Sequence, residues 1–173
     1  MKSSLWTRYQ LRRCAVVGER PVVLGRVWIH GGGRIALGDG VVLDGHTAPI
    51  ELHVQRGAVL SIGDGTRIEG GTSIEAQVMI SIGPGCRLGA YTKLIDNHFH
   101  PVHGDRRKRP PSTPLVLEEQ VTLESRVIVL PGAYLNRGAV VRAGSVVSRS
   151  VAAGTTVGGT PLKVLTPGHA SPP

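Results

Sequence analysis

From Leu117 onward an aliphatic residue stands at every sixth position: Leu117, Leu123, Val129, Leu135, Val141 and Val147. Four places after each comes a small or β-branched side chain, in Val121, Val127, Ala133, Ala139, Ser145 and Val151. Six is the period of neither an α-helix nor a simple strand. In extended chain, positions i and i+4 face the same side, and a glycine-rich stretch between them can turn. Each hexad therefore reads as one short strand and a corner. Earlier copies are Ile62-Gly-Asp-Gly-Thr66, Ile68-Glu-Gly-Gly-Thr72, Ile82-Gly-Pro-Gly-Cys86 and Leu88-Gly-Ala-Tyr-Thr92, with Leu37-Gly-Asp-Gly-Val41 as an outlier. A single coil of this kind cannot bury its own apolar side, so stacking has to supply the core. The pattern predicts an all-β parallel β-helix.

With 24 Gly and 12 Pro but only 3% aromatic residues, the interior has to be built from Val, Ile, Leu and Ala, which suits a thin prism. A length of 173 residues fits one domain. We expect a lead-in over residues 1–20, helical or irregular, a β-helical domain over 21–165, and a disordered tail over 166–173. No apolar run is long enough to span a bilayer. The stretch from Met1 to Arg13 carries four basic residues and no apolar core follows it, so no signal peptide is expected and the chain reads as cytoplasmic. Cys14 and Cys86 fit no metal or redox spacing, and Cys86 occupies an inward slot as a small hydrophobe.

Twenty Lys and Arg against twelve Asp and Glu give a formal charge of +8, which favours anionic partners. The basic residues are scattered and lack an aromatic platform, so nucleic acid is not expected. The dense run Arg106-Arg107-Lys108-Arg109 reads as a solvated loop tip, or else as a phosphate contact in this or a neighbouring subunit.

The period slips in places. Leu43 to Ile62 is 19 positions rather than 18, Ile74 to Ile82 is eight rather than six, and Leu94 to Leu117 is 23. The last gap, with Pro101, Pro110, Pro111 and Pro114, is excluded from a stacked wall. It predicts an extruded loop near 95–116, and long loops on rigid scaffolds tend to carry function. The loop opens Asp96-Asn-His-Phe-His-Pro101, with two of the seven histidines and the only phenylalanine. A neutral imidazole is suited to accept a proton near neutral pH, and a carboxylate nearby can orient it. His98, His100 and Asp96 are the candidates.

The hexads, this loop, Leu130-Pro-Gly132, Ala143-Gly-Ser-Val-Val147 and Gly158-Gly-Thr-Pro-Leu-Lys-Val164 together resemble the hexapeptide-repeat acyltransferases, in particular the sugar O-acetyltransferase branch. The resemblance covers roughly residues 21–165. It implies a left-handed prism, an exception to the usual right-handed crossover, and a homotrimer with acetyl-CoA as co-substrate in clefts between subunits. His100 falls on the family's general base, and His98 stands where close relatives often have Asp, which leaves Asp96, His98 or a backbone carbonyl to orient His100. Ala143, Gly144 and Ser145 match the strip along the pantetheine arm. Gly159, Thr160, Pro161 and Lys163 match the closing loop near the nucleotide, with Arg142 or Arg149 as further phosphate contacts. Departures are Glu69, Glu118, Glu119, Glu124 and Leu162. The expected reaction is direct acyl transfer to a hydroxyl of a sugar or glycan precursor, with no metal. Two other readings are a zinc enzyme like the β-helical carbonic anhydrases, ligated by His98, His100 and His103, and a trimeric scaffold without activity.

Overall fold

The computed structural model describes residues 4–98 and 110–166. Helix α1 (Leu5–Gln10) precedes a stack of short strands, all paired in parallel save the last pair, Thr156–Gly158 with Lys163–Thr166. The strands fall on three faces. Val16–Val17, Arg34–Leu37, Val59–Ile62, Met79–Ile82, Leu115–Leu117 and Tyr134–Leu135 form the first. The second carries Arg67–Glu69, Arg87–Leu88, Thr122–Leu123, Val140–Val141 and Thr156–Gly158. The third carries Ser73–Ala76, Lys93–Ile95, Ile128–Val129 and Val146–Val147. Val22–Gly31 and Val42–Val54 run on around the corner from the second face to the third, so those two faces join into one sheet.

Both inward slots of the hexad are where the period puts them. Leu117, Leu123, Val129, Leu135, Val141 and Val147 are all buried, and so are Val121, Val127, Ala133, Ala139, Ser145 and Val151. Burying side chains of this size stabilises by about 1.5–3 kcal/mol each, which makes the stack self-supporting only as a whole. At four of the polar second slots the donor is spent on the next coil. Thr66 donates to the Gly83 carbonyl, Thr72 to Gly89, Thr92 to Glu124, and the Cys86 thiol to Glu118. Burial pushes that thiol up to about 11, so it is inert at neutral pH.

The second place of the hexad explains the glutamates. A Cβ on Gly83 would lie 2.6 Å from the backbone of Glu118, so this corner, like those at Gly38, Gly63 and Gly89, stacks too closely for a side chain. At Glu118 and Glu124 there is room, and the side chain is used to bridge coils. Glu118 accepts from the Arg137 amide and the Tyr134 hydroxyl, and Glu124 from the Ala143 amide. Those two bonds hold the Glu118 carboxyl below its usual range.

Register measures what each coil inserts. On the third face Ser73 pairs with Lys93, Lys93 with Ile128 and Ile128 with Val146, separations of 20, 35 and 18 residues where three hexads need 18. The long coil holds the extruded segment. It is narrower than expected, because Ile95 pairs with Glu75, and Leu115 with Ile80, inside the wall. The lead-in also contributes to the prism, since Val16 and Val17 pair with Ala36 and Leu37. Helix α1 closes the open edge of the first coil. Thr7 and Gln10 accept from the amides of Val23 and Val27, and the Trp6 indole donates to the Gly25 carbonyl.

Candidate active site

The extruded segment leaves the prism at the corner between the third and first faces, and its stem is built on Asp96. That side chain is fully buried, and its carboxylate accepts from three successive amides of the coil before it, Gln77, Val78 and Met79, at 2.8, 2.7 and 2.8 Å. Three donors on one carboxylate hold the corner and the loop root together. The Asp96 carbonyl then accepts from the Thr113 amide at 2.8 Å, the Ser112 hydroxyl donates to Gln77, and the Thr113 carbonyl accepts from the Gly132 amide. These bonds bring both ends of the loop to one point between the corners at Gln77 and Gly132.

Next to Asp96 the environment changes. Asn97 is 2% exposed, and its carbonyl oxygen is the one buried side-chain oxygen or nitrogen among the described residues that has no partner. Asn97 also lines a cavity of about 30 Å³ together with His53, Gln55, Glu75, Ala76 and Gln77, room for one water-sized polar group. His53 and Gln55 contact each other at 3.2 Å, and Glu75 is paired with Lys93 at 2.8 Å. A buried amide oxygen without a donor costs about 1–3 kcal/mol unless a ligand or water supplies one. Sequence patterning missed Asn97. The signal available was the position of Glu75 and His53 in outward places of their strands, beside the root of the loop. His98 is exposed; His100, with Phe99 and His103, lies outside the described residues.

The second group of candidates lies elsewhere. Ala143, Gly144 and Ser145 form the corner between the second and third faces, so the third face separates them from the loop root. Ser145 is buried; its hydroxyl donates to the Arg142 carbonyl at 2.6 Å and accepts from the Gly159 amide at 2.9 Å. That joins the strip to the closing turn. The Gly144 amide is taken by the Ser125 carbonyl. Gly159 has φ 93°, and the Thr160–Pro161 peptide is cis. Lys163, Thr160 and Pro161 are exposed. Arg142 pairs with Glu124 at 2.7 Å, and Arg149 donates to the Leu162 carbonyl at 2.9 Å, which buries Leu162 under the turn. A depression of about 460 Å³ on the second face is bordered by Ala143, Glu124, Arg67, Glu69 and Arg87. Among the described residues no group of three His, Cys, Asp or Glu gathers as a metal site.

A stack of hexad coils with a loop rooted at its third corner defines a class of fold: the hexapeptide-repeat β-helix, on which acetyltransferases are built. Among solved structures the chain is similar to AntD, an N-acyltransferase from Bacillus cereus crystallised with dTDP and 3-hydroxybutyryl-CoA, at a TM-score of 0.78 and 18% identity over 96% of this chain and 90% of that one. It is similar as well to a hexapeptide-repeat acetyltransferase of Vibrio cholerae, at a TM-score of 0.67 and 25% identity, covering 95% of this chain and 82% of the other; crystals of that enzyme hold acetyl-CoA. A 56-residue stretch is 39% identical to the 2,3,4,5-tetrahydropyridine-2,6-dicarboxylate N-acetyltransferase of Staphylococcus aureus (strain bovine RF122 / ET3-1), covering 32% of this chain and 23% of that enzyme. No family model matches.

Proposed function

We propose that the chain is an acetyl-CoA-dependent acyltransferase that moves an acetyl group onto a hydroxyl of a sugar or glycan precursor, with His100 as general base. The observation that carries the reading is the root of the loop. Asp96, through three amides, anchors the described stem that leads to His98 and His100 at one corner of a fold of which two solved examples hold acetyl-CoA and 3-hydroxybutyryl-CoA.

In this reading the His100 imidazole takes the proton of the acceptor hydroxyl as its oxygen attacks the thioester carbonyl. The tetrahedral intermediate collapses with loss of the CoA thiolate, which receives that proton. No enzyme nucleophile is required, and Ser145 is unsuited to be one, since its hydroxyl is buried and bonded on both sides. Asp96 acts as a positioning residue through the loop root, and His98 is the nearer candidate to orient or assist His100. Residues 143–145 and 159–161, with Lys163 and Arg142, would hold CoA. The loop root and this strip lie on opposite edges of the third face, so a site that uses both is best completed by the strip of a neighbouring copy, as a homotrimer provides.

The test is thiol release from acetyl-CoA with a panel of sugar acceptors. His100→Ala should lower kcat by at least about 10²-fold with CoA affinity and the folding transition retained, because a general base acts mainly in the transition state. Turnover unchanged in that variant, or activity that follows bound zinc and is lost to a chelator, would overturn the reading.

A further inference from the structure

The chain has six aromatic residues counting Trp, Tyr and Phe, and three of them meet at the N-terminal end of the prism, far from the CoA candidates. Trp6 and Tyr9 of helix α1 stack with ring centroids 6.3 Å apart, and with Trp28 of the first coil they line a cleft of about 360 Å³. All three rings are roughly half-exposed. A thin aliphatic prism has no need of them for packing, and both tryptophans of the chain stand here.

The other lining groups are basic. Arg12 lies over the Tyr9 ring at 4.1 Å, Arg13 donates to the Ile29 carbonyl, and Arg26 lies beside Trp28 on the strand Val22–Gly31. Among the described residues none of these three guanidinium groups has a carboxylate within ion-pair distance, although Arg67, Arg137 and Arg142 each have one. No acidic side chain lines the cleft. Planar rings beside uncompensated guanidinium groups suit a ligand with a flat face and several negative charges, since a base stacks on an aromatic ring and phosphate oxygens accept from the guanidinium fork. The cleft is the size of one small ligand.

A row of side chains leads away from it. His30, which also lines the cleft, pairs in register with His53, His53 with Glu75, and Glu75 with Ile95, adjacent to Asp96 and Asn97. Three strand spacings put the loop root about 14 Å from His30. That is the reach of a diphosphate and a sugar ring laid along the third face from a base held at the cleft.

We propose that the cleft binds the nucleoside diphosphate end of the acceptor, so that a sugar attached to it lies along His30, His53 and Glu75 and presents its nucleophile beside Asn97. This rests on the acyl-transfer reading for the role of the ligand, but not for its binding. The purified full chain, without acetyl-CoA, is titrated with UDP, dTDP, GDP and ADP while tryptophan fluorescence is followed. At least one should quench saturably, at least about tenfold more tightly than the matching nucleoside or inorganic phosphate alone. Trp28→Ala and Arg26→Ala, both at exposed positions, should weaken that Kd at least about tenfold with unchanged thermal melting. Saturating CoA should leave it unaltered. Absence of quenching by all four, equal binding of phosphate alone, insensitivity to both substitutions, or displacement by CoA would each overturn the proposal. Loss of His100-dependent thiol release with an intact binding isotherm would remove the acyl-transfer reading and leave the cleft standing.

Discussion

The wall of the late coils and the corner where the loop departs are built from opposite materials. Between Leu117 and Val147 the repeat never misses, and every inward position is an aliphatic residue or a small group bonded to a neighbouring corner. At residues 96 and 97 two polar side chains are buried side by side. One of them, Asp96, has both oxygens engaged; the carbonyl oxygen of Asn97 has nothing. In the wall, stability comes from many equivalent contacts, so each position is replaceable only in kind. At the corner it comes from one carboxylate and three amides, and an unfilled acceptor remains beside it. A stiff repeat can carry such a defect because the coils on either side are complete.

The largest expected effect breaks the wall. Leu135→Asp buries an unpaired charge in the narrow core and should leave no soluble folded protein. Its neighbour is the control. Asn136 donates to the Val151 carbonyl at 2.8 Å, so Asn136→Ala should fold and lose about 1 kcal/mol in urea denaturation. Comparable loss at both positions would show that the inward frame is misassigned.

Asp96→Asn probes the corner. An amide in place of the carboxylate turns a donor toward backbone amides, and the variant should lose about 2–4 kcal/mol. Under the proposed mechanism, kcat should fall while the KM for acetyl-CoA stays near that of the parent, because the loop root is displaced and the CoA strip is not. If stability is unchanged, the three-amide anchor does not hold the loop.

A smaller effect concerns the thiols. Burial pushes Cys14 and Cys86 up from 9.0 to about 11 in the folded protein. The raised value favours the neutral thiol, so this contribution is complete below pH 9 and is lost as pH rises from 9 through 11. Urea midpoints should decline over that window, and a variant with both cysteines changed to Ala should decline less steeply, although from a lower start.

The smallest effect is local. The fourth place of the hexad needs positive φ, filled by glycine at Gly65 and Gly85 but by Gln120 at φ 58°. Gln120→Gly removes left-handed strain of about 1–2 kcal/mol and adds chain entropy of similar size. A gain of about 0.5 kcal/mol or less is expected from denaturation midpoints.

How much of this was legible follows from what a period can encode. Residues alternating inward and outward in hexads determine the coil, its core and the places where it must be interrupted, because each slot is decided by its own size and polarity. Leu94 and Leu117, 23 positions apart, were enough to locate the loop. The sequence also marked Asp96 as special, as one candidate to orient a histidine; its anchoring by three amides was not legible, because they come from residues 17 to 19 positions earlier, a distance that only the stacking register brings to contact. The same register decided that Glu118 and Glu124 bridge coils, where alone they read as departures from Gly. Tertiary structure alone placed the loop root and the Ala143 corner on opposite edges of one face, left the Asn97 carbonyl oxygen without a donor, and folded α1 back so that Trp6, Tyr9 and Trp28 line one cleft. Contacts of that kind depend on which coil lies beside which, and no single hexad contains that information.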